Sequence, residues 1–153
     1  MNYSLIAFLI SMLPVIELRG GIIFAAASGI PFAQAFIICI LGNILPIPFI
    51  LLFIRQILNF LKKFGWTGRI VNWLESHAHA RSDKIQKYQM LGLLIFVGIP
   101  LPGTGAWTGA LIASLMDLQI KKSFPTIALG VVMAAVIMSV FSYFIPGLFF
   151  PEV

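Results

Sequence analysis

Six apolar runs separated by short polar interruptions make up most of the chain: Leu5 to Ile16, Ile22 to Ile30, Phe32 to Ile54, Leu91 to Ile99, Ala106 to Met116 and Phe124 to Ile145. Each is predicted to be helical. The third and the last have the roughly 20 apolar residues that carry an α-helix across a hydrocarbon core of about 30 Å. The other four hold about a dozen residues or fewer and reach only about 18 Å as helices. They pair across two polar breaks. The first is Pro14-Val15-Ile16-Glu17-Leu18-Arg19-Gly20-Gly21 and the second is Pro100-Leu101-Pro102-Gly103-Thr104-Gly105. Proline and glycine at this density end a helix, and inside a bilayer the freed backbone groups must be buried in protein or line a wet cavity. Each broken pair therefore reads as a re-entrant hairpin, the alternative being one kinked spanning helix.

The pattern occurs twice. An offset of 88 residues places Pro14 on Pro102, Gly21 on Gly109 and Gly42 on Gly130, and it also aligns Leu5 with Leu93, Phe8 with Phe96, Leu13 with Leu101, Ala25 with Ala113, Phe36 with Phe124, Leu41 with Leu129 and Phe53 with Phe141. Leucine and phenylalanine matches are cheap in an apolar chain, so the proline and glycine matches carry the weight. The expected architecture is all-α and integral to a membrane, with a hairpin plus a transmembrane helix in each repeat. It forms a single membrane domain over 1–153, with repeat one at 1–54, a linker at 55–90 and repeat two at 91–153.

Composition supports the membrane and excludes an ordinary soluble fold: 60% of residues are hydrophobic and only 10% charged, where a soluble domain carries about a quarter. Mean hydropathy is +1.04. A net charge of +5 would suggest nucleic acid in a soluble protein, but seven of the ten lysines and arginines fall between Arg55 and Lys87. By the positive-inside rule this stretch, 55–90, is cytoplasmic, in what is expected to be a prokaryotic cytoplasmic membrane. A re-entrant hairpin returns to its own side, so each repeat crosses once and the two are inverted. Lys121 and Lys122 then return to the cytoplasm, and both termini lie outside. Within the linker, Ile57, Phe60, Leu61, Phe64, Ile70, Trp73 and Leu74 at helical spacings predict an interfacial helix, with Trp66 and Trp73 at headgroup depth. Glu17 and Arg19 interrupt what would be a signal peptide's core, so no cleavage is expected. Cys39 is the only cysteine, which leaves the redox compartment unread.

An ionisable group at bilayer depth is costly unless paired or hydrated, so Glu17 is the first candidate for chemistry, as a proton carrier or a cation ligand, or as a structural partner of Arg19. Arg19 offers a planar fork of donors suited to phosphate or carboxylate. Helices starting just beyond Arg19 and just beyond Gly105 would aim their positive N-terminal ends at the middle of the protein. Gly103, Thr104 and Gly105 leave backbone N–H groups open to an anion, with Pro102 before them and Gly20 and Gly21 completing the candidate site in the first break, though the same small residues also let helices pack closely. Asn43, in the middle of the first spanning helix, and Trp107, just after the second break, offer further polar groups, with packing as their other role. His77 and His79 with Glu75 and Asp83 make a weak metal pattern in a solvated segment. No metal, no cofactor and no enzyme activity are expected, because no Ser, His and acid arrangement falls within the breaks.

The first break, together with Pro100-Leu101-Pro102-Gly103-Thr104-Gly105-Ala106-Trp107-Thr108-Gly109-Ala110, resembles the family of small multi-drug export proteins over nearly the full chain. That family is related to the DedA superfamily, and the resemblance implies a fold of two re-entrant hairpins packed with spanning helices. It also implies transport of lipids such as polyprenyl phosphate between leaflets, in part driven by the proton gradient, with Glu17 and Arg19 as the membrane acid and base. The second hairpin departs from the DedA pattern, having Gly103-Thr104-Gly105 where an arginine is usual. The expected function is a transporter or flippase, proton-coupled, that binds an anionic group where the hairpins meet. Its partners are membrane lipids, a small-molecule or lipid substrate and a proton, with a homodimer left open and no nucleic acid. The alternatives are export of lipophilic cations through Glu17 and a non-transporting membrane scaffold.

Overall fold

A computed structural model of the chain describes residues 2–61 and 83–145. The part of the expected interfacial helix beyond Leu61, with Trp66 and Trp73, and the segment with His77 and His79 lie outside the described residues. Among the described residues every regular element is helical: α1 (Tyr3–Met12), α2 (Glu17–Ala27), α3 (Phe32–Ile44), α4 (Ile47–Leu61), α5 (Asp83–Gly98), α6 (Ala106–Leu115) and α7 (Ile120–Ser139), which runs on into a π-helical turn at Val140–Phe144. Among the described residues two stretches are long and apolar enough to cross a membrane, Phe32–Ile57 and Ile120–Phe144. A turn at Leu45-Pro46 divides the first into α3 and α4, as expected of a proline that lacks an N–H for the helical ladder.

α1 and α2 fold back on one another as a hairpin. Gly21 lies against Ser11 and Ala7, Gly20 faces Ile10, and the Tyr3 and Phe24 rings are 6.5 Å apart. α5 and α6 do the same, with Gly109 against Val97 and Leu93. Gly42 of α3 sits on the Phe8 carbonyl of α1, and Gly130 of α7 sits on the Leu94 carbonyl of α5. A side chain at either glycine would push the helices apart. These are the glycine pairs that the 88-residue offset aligns.

Two turns 88 residues apart are also alike. After α2, the Ile30 N–H bonds the Ala25 carbonyl (3.0 Å) and the Gly29 N–H bonds the Ala26 carbonyl (3.1 Å). After α6, Leu118 bonds Ala113 (2.9 Å) and Asp117 bonds Ser114 (3.2 Å). Both are Schellman caps, which satisfy helix-end carbonyls by placing the next residue in the left-handed region. Gly29 has φ +70° and Asp117 φ +50°, so aspartate takes a position that favours glycine. The apolar residues that follow, Ile30 and Leu118, are both buried, and each cap feeds directly into a long helix.

The two long helices run antiparallel. The Tyr143 hydroxyl, at the end of the second, donates to the Ile30 carbonyl (3.0 Å) just ahead of the first, where Phe32 also packs against Tyr143 and Phe144. Arg55, near the end of the first, donates to the Leu118 carbonyl just ahead of the second and lies 3.8 Å from the Asp117 carboxylate. Positions 55 and 143 differ by 88, as do 30 and 118. The two contacts are therefore reciprocal.

Candidate functional site

The two breaks meet each other. Glu17 opens α2 with φ +53°, a left-handed conformation uncommon for a side-chain-bearing residue and costing on the order of 1 kcal/mol or more. α2 thus begins three residues earlier than the sequence suggests, and Arg19 lies within its first turn. The Glu17 side chain leaves its own hairpin and reaches the second break, where its carboxylate accepts the backbone N–H of Trp107 at 3.1 Å. Trp107 is the second residue of α6, so the N–H belongs to the group of helix-starting donors with no partner in their own helix. A carboxylate there also meets the positive end of the helix dipole. Glu17 is 3% exposed. Gly105 makes room for it, since a Cβ at that position would overlap the carboxylate, and its φ of +150° suits glycine in any case.

Arg19 closes the other side of the carboxylate, with its guanidinium 3.6 Å away. Its two terminal nitrogens donate to the second break: to the Thr104 carbonyl, to the Thr104 hydroxyl at 2.8 Å and to the Ile99 carbonyl at 3.4 Å. Thr104 passes the interaction on by donating within its own loop, toward Ile99 (2.8 Å) or Leu101 (2.9 Å). In return the Trp107 indole N–H donates to the Met12 carbonyl, 3.1 Å away at the end of α1. Positions 19 and 107 again differ by 88. Each reaches into the carbonyls exposed by the other hairpin's break, so freed backbone groups are satisfied across the repeats.

Beneath the carboxylate lies a cavity of about 10 Å³ lined by Glu17, Leu18, Arg19, Asn43, Gly105, Ala106 and Val131, among others. That is about the space of a single water. Asn43 is 2% exposed. Its Oδ1 and the Arg19 Nε are buried without a hydrogen-bond partner among the described residues.

Of the residues singled out from sequence, Glu17, Arg19, Thr104, Gly105 and Trp107 are in mutual contact and Asn43 lines the adjoining cavity. Gly20 and Gly21 face Ile16 and Ser11 and serve packing. Pro102 and Gly103 lie on an exposed turn, with open space beside Gly103. Arg55, Asp117 and Tyr143 were not singled out, although carrying the offset comparison through every position would have set Gly29 on Asp117 and Arg55 on Tyr143.

Comparison with curated proteins and with solved structures finds no match. A family model does match, over residues 17–137, a span that begins at Glu17 and takes in both sides of the charged contact. On that match, and with two membrane-length helices built around it, the chain belongs to the membrane protein family described as putative small multi-drug export protein.

Proposed function

We propose that the protein is a proton-coupled secondary transporter of the inverted-repeat type, which takes up an anionic group where Glu17 now lies. The observation that carries this reading is the position of the Glu17 carboxylate. A helix N-terminus and an arginine form an anion site, and the protein fills it with its own acid. Protonating Glu17 removes the negative charge facing Arg19 and α6, and an entering phosphate or carboxylate restores it. Proton and anion then travel together, and the charge of the site is the same in the empty and loaded carrier. An energised membrane drives such a symport inward. The phosphate group of a lipid carried between leaflets, as in DedA-type flippases, fits these requirements.

Reciprocal contacts support the inverted repeat. A two-fold axis requires that if one element touches a second, their counterparts touch in the opposite sense. The pair Arg55 with Leu118 and Tyr143 with Ile30 meets that condition residue by residue, while Arg19 and Trp107 each reach into the other's break with acceptors, Thr104 and Met12, at non-equivalent positions. Because the long helices are antiparallel, an axis relating them lies across them, hence in the membrane plane when they span. α1 and α6, at ten residues each, measure about 15 Å and fall short of a ~30 Å core. Hairpins entering from opposite faces would bring both breaks to the midplane.

The family description favours a second reading, export of lipophilic cations with Glu17 as the shared proton and drug site. Proton and cation would then exchange for one another, as an antiport. Arg19 and the α6 N-terminus beside the carboxylate oppose a cation. In proteoliposomes under an imposed pH gradient, an anionic alkyl phosphate should move in the direction of the proton flux and ethidium should not. Arg19→Ala should abolish phosphate movement. Ethidium driven against the proton flux, and retained in Arg19→Ala, would overturn the anion reading. Movement of neither probe by the unsubstituted protein would favour a scaffold held by the Glu17 and Arg19 pair.

A further inference from the structure

We infer that the groove between α5 and α7 is a binding site for one anionic phospholipid, separate from the Glu17 contact and independent of the transport reading. α5 and α7 are packed side by side, and both begin at the same end of the molecule, the end where Arg55 meets Asp117. Between them a cavity of about 660 Å³ is lined by Lys87, Leu91, Leu94 and Leu129 with their neighbours, and an adjoining cavity of about 610 Å³ adds Lys121 and Lys122. Lys87 and Leu129 border both.

The groove is graded along its length. Lys87 precedes Leu94 by two helical turns on α5, and Lys122 precedes Leu129 by two turns on α7. Each interval is about 10 Å along a helix. Three ammonium groups therefore border one end, and about 10 Å of leucine wall leads away from them. Thr126, the polar side chain between, donates to its own helix at the Lys122 carbonyl, 2.7 Å away. The long α7 also starts at the lysine end, and Gln119 before it makes no side-chain cap, which adds the positive end of a helix dipole. Tyr88, 73% exposed, stands at the same level, where amphipathic rings favour the headgroup region.

A soluble anion would use the lysines and leave the leucine wall unexplained, whereas a zwitterionic or neutral lipid would use the wall and leave the lysines unexplained. A phosphate headgroup with net negative charge, attached to an acyl chain, uses both. Lysine at a membrane surface strengthens attraction to anionic lipid roughly fivefold per residue.

Native mass spectrometry of the full chain released from mixed micelles of phosphatidylglycerol and phosphatidylcholine tests this. One phosphatidylglycerol should be retained in preference to phosphatidylcholine, and excess glycerol phosphate should not displace it. The triple variant Lys87→Gln, Lys121→Gln, Lys122→Gln should lose on the order of a hundredfold in that preference. Leu129→Trp, which narrows the apolar wall and leaves the lysines, should weaken retention of both lipids. Equal retention of the two lipids by the unsubstituted protein, an unchanged preference in the triple variant, or displacement by glycerol phosphate would each overturn the assignment.

Discussion

The two breaks are aligned by the 88-residue offset and contribute different groups to their contact. The first supplies the charged and polar side chains: Glu17, Arg19 and, deeper, Asn43. At the equivalent positions the second has Gly105, Trp107 and Val131. What the second provides carries no charge and is mostly backbone: the start of α6, the carbonyls of Ile99 and Thr104 and the space left by a missing Cβ, joined by the Thr104 hydroxyl and the Trp107 indole N–H. The asymmetry avoids an electrostatic conflict. Two acids facing each other across the pseudo-axis would repel in a poorly solvated site, and two arginines would do the same. One acid, one base and one helix end make a set that balances its own charge.

The severest disruption of this division should come from the residue with no side chain. Gly105→Ala places a Cβ on the Glu17 carboxylate and at a φ that suits glycine, so it must either eject the acid or distort the loop. The expected loss is roughly 2–4 kcal/mol, seen as a sharply lowered melting temperature in detergent together with loss of transport. Gly103→Ala provides the calibration. It has positive φ as well (+81°) but open space around it, and should cost only about 1 kcal/mol. Equal effects would mean that backbone strain, and not room for the carboxylate, explains Gly105.

Removing the acid should matter next. Glu17→Gln keeps an oxygen to accept the Trp107 N–H but leaves Arg19 without its counter-charge, for an expected loss of about 1–3 kcal/mol. Adding Arg19→Gln should recover part of that stability, because the uncompensated charge is gone, while transport stays absent. A double-mutant cycle on melting temperatures checks the sign of the coupling. If transport of both variants is undiminished, the site assignment is wrong. A smaller effect is expected from the second repeat's reciprocal donor. Trp107→Phe removes the bond to the Met12 carbonyl and should cost about 1 kcal/mol, near the measured range for such bonds in membranes.

The residues that carry this asymmetry were partly visible in the sequence. Charged residues in an apolar chain announce themselves, so Glu17 and Arg19 were legible, and proline and glycine marked both breaks. The hydrophobic pattern placed the end of α6 within one residue, Met116 against Leu115, but ran three residues past α2, to Ile30 against Ala27. What a one-dimensional pattern lacks is the direction of a side chain over a separation of some 90 residues. Glu17 leaves its own hairpin through a left-handed backbone conformation, for which local composition gave no signal, since glycine is the usual occupant. The turn at Asp117 was hidden for the same reason. Arg55 looked like one more member of the basic linker until its contact with Leu118 placed it beside the second cap.

The smallest expected effect is also the sharpest test of the two-fold relation, because it concerns the outer contacts and leaves the breaks untouched. Arg55 ties the end of α4 to the cap after α6, and Tyr143 ties the end of the second long helix to the cap after α2. They lie at opposite ends of the antiparallel helices. If each holds one entrance to the Glu17 site closed, Arg55→Gln should favour opening at the lysine-rich end and Tyr143→Phe at the other. Losing a single partly exposed contact is worth about 0.5–1 kcal/mol, so each population should shift by a factor of about two to five. Val131→Cys, lining the small cavity from the second repeat, supplies a reporter in a Cys39→Ser background. A membrane-impermeant maleimide applied to sealed vesicles of each orientation should label it faster from one side in Arg55→Gln and from the opposite side in Tyr143→Phe. Inverted repeats require those two shifts to oppose one another. Faster labelling from the same side in both variants would mean that the reciprocal contacts are only fasteners of a single fold, and alternating access between the two hairpins would have to be given up.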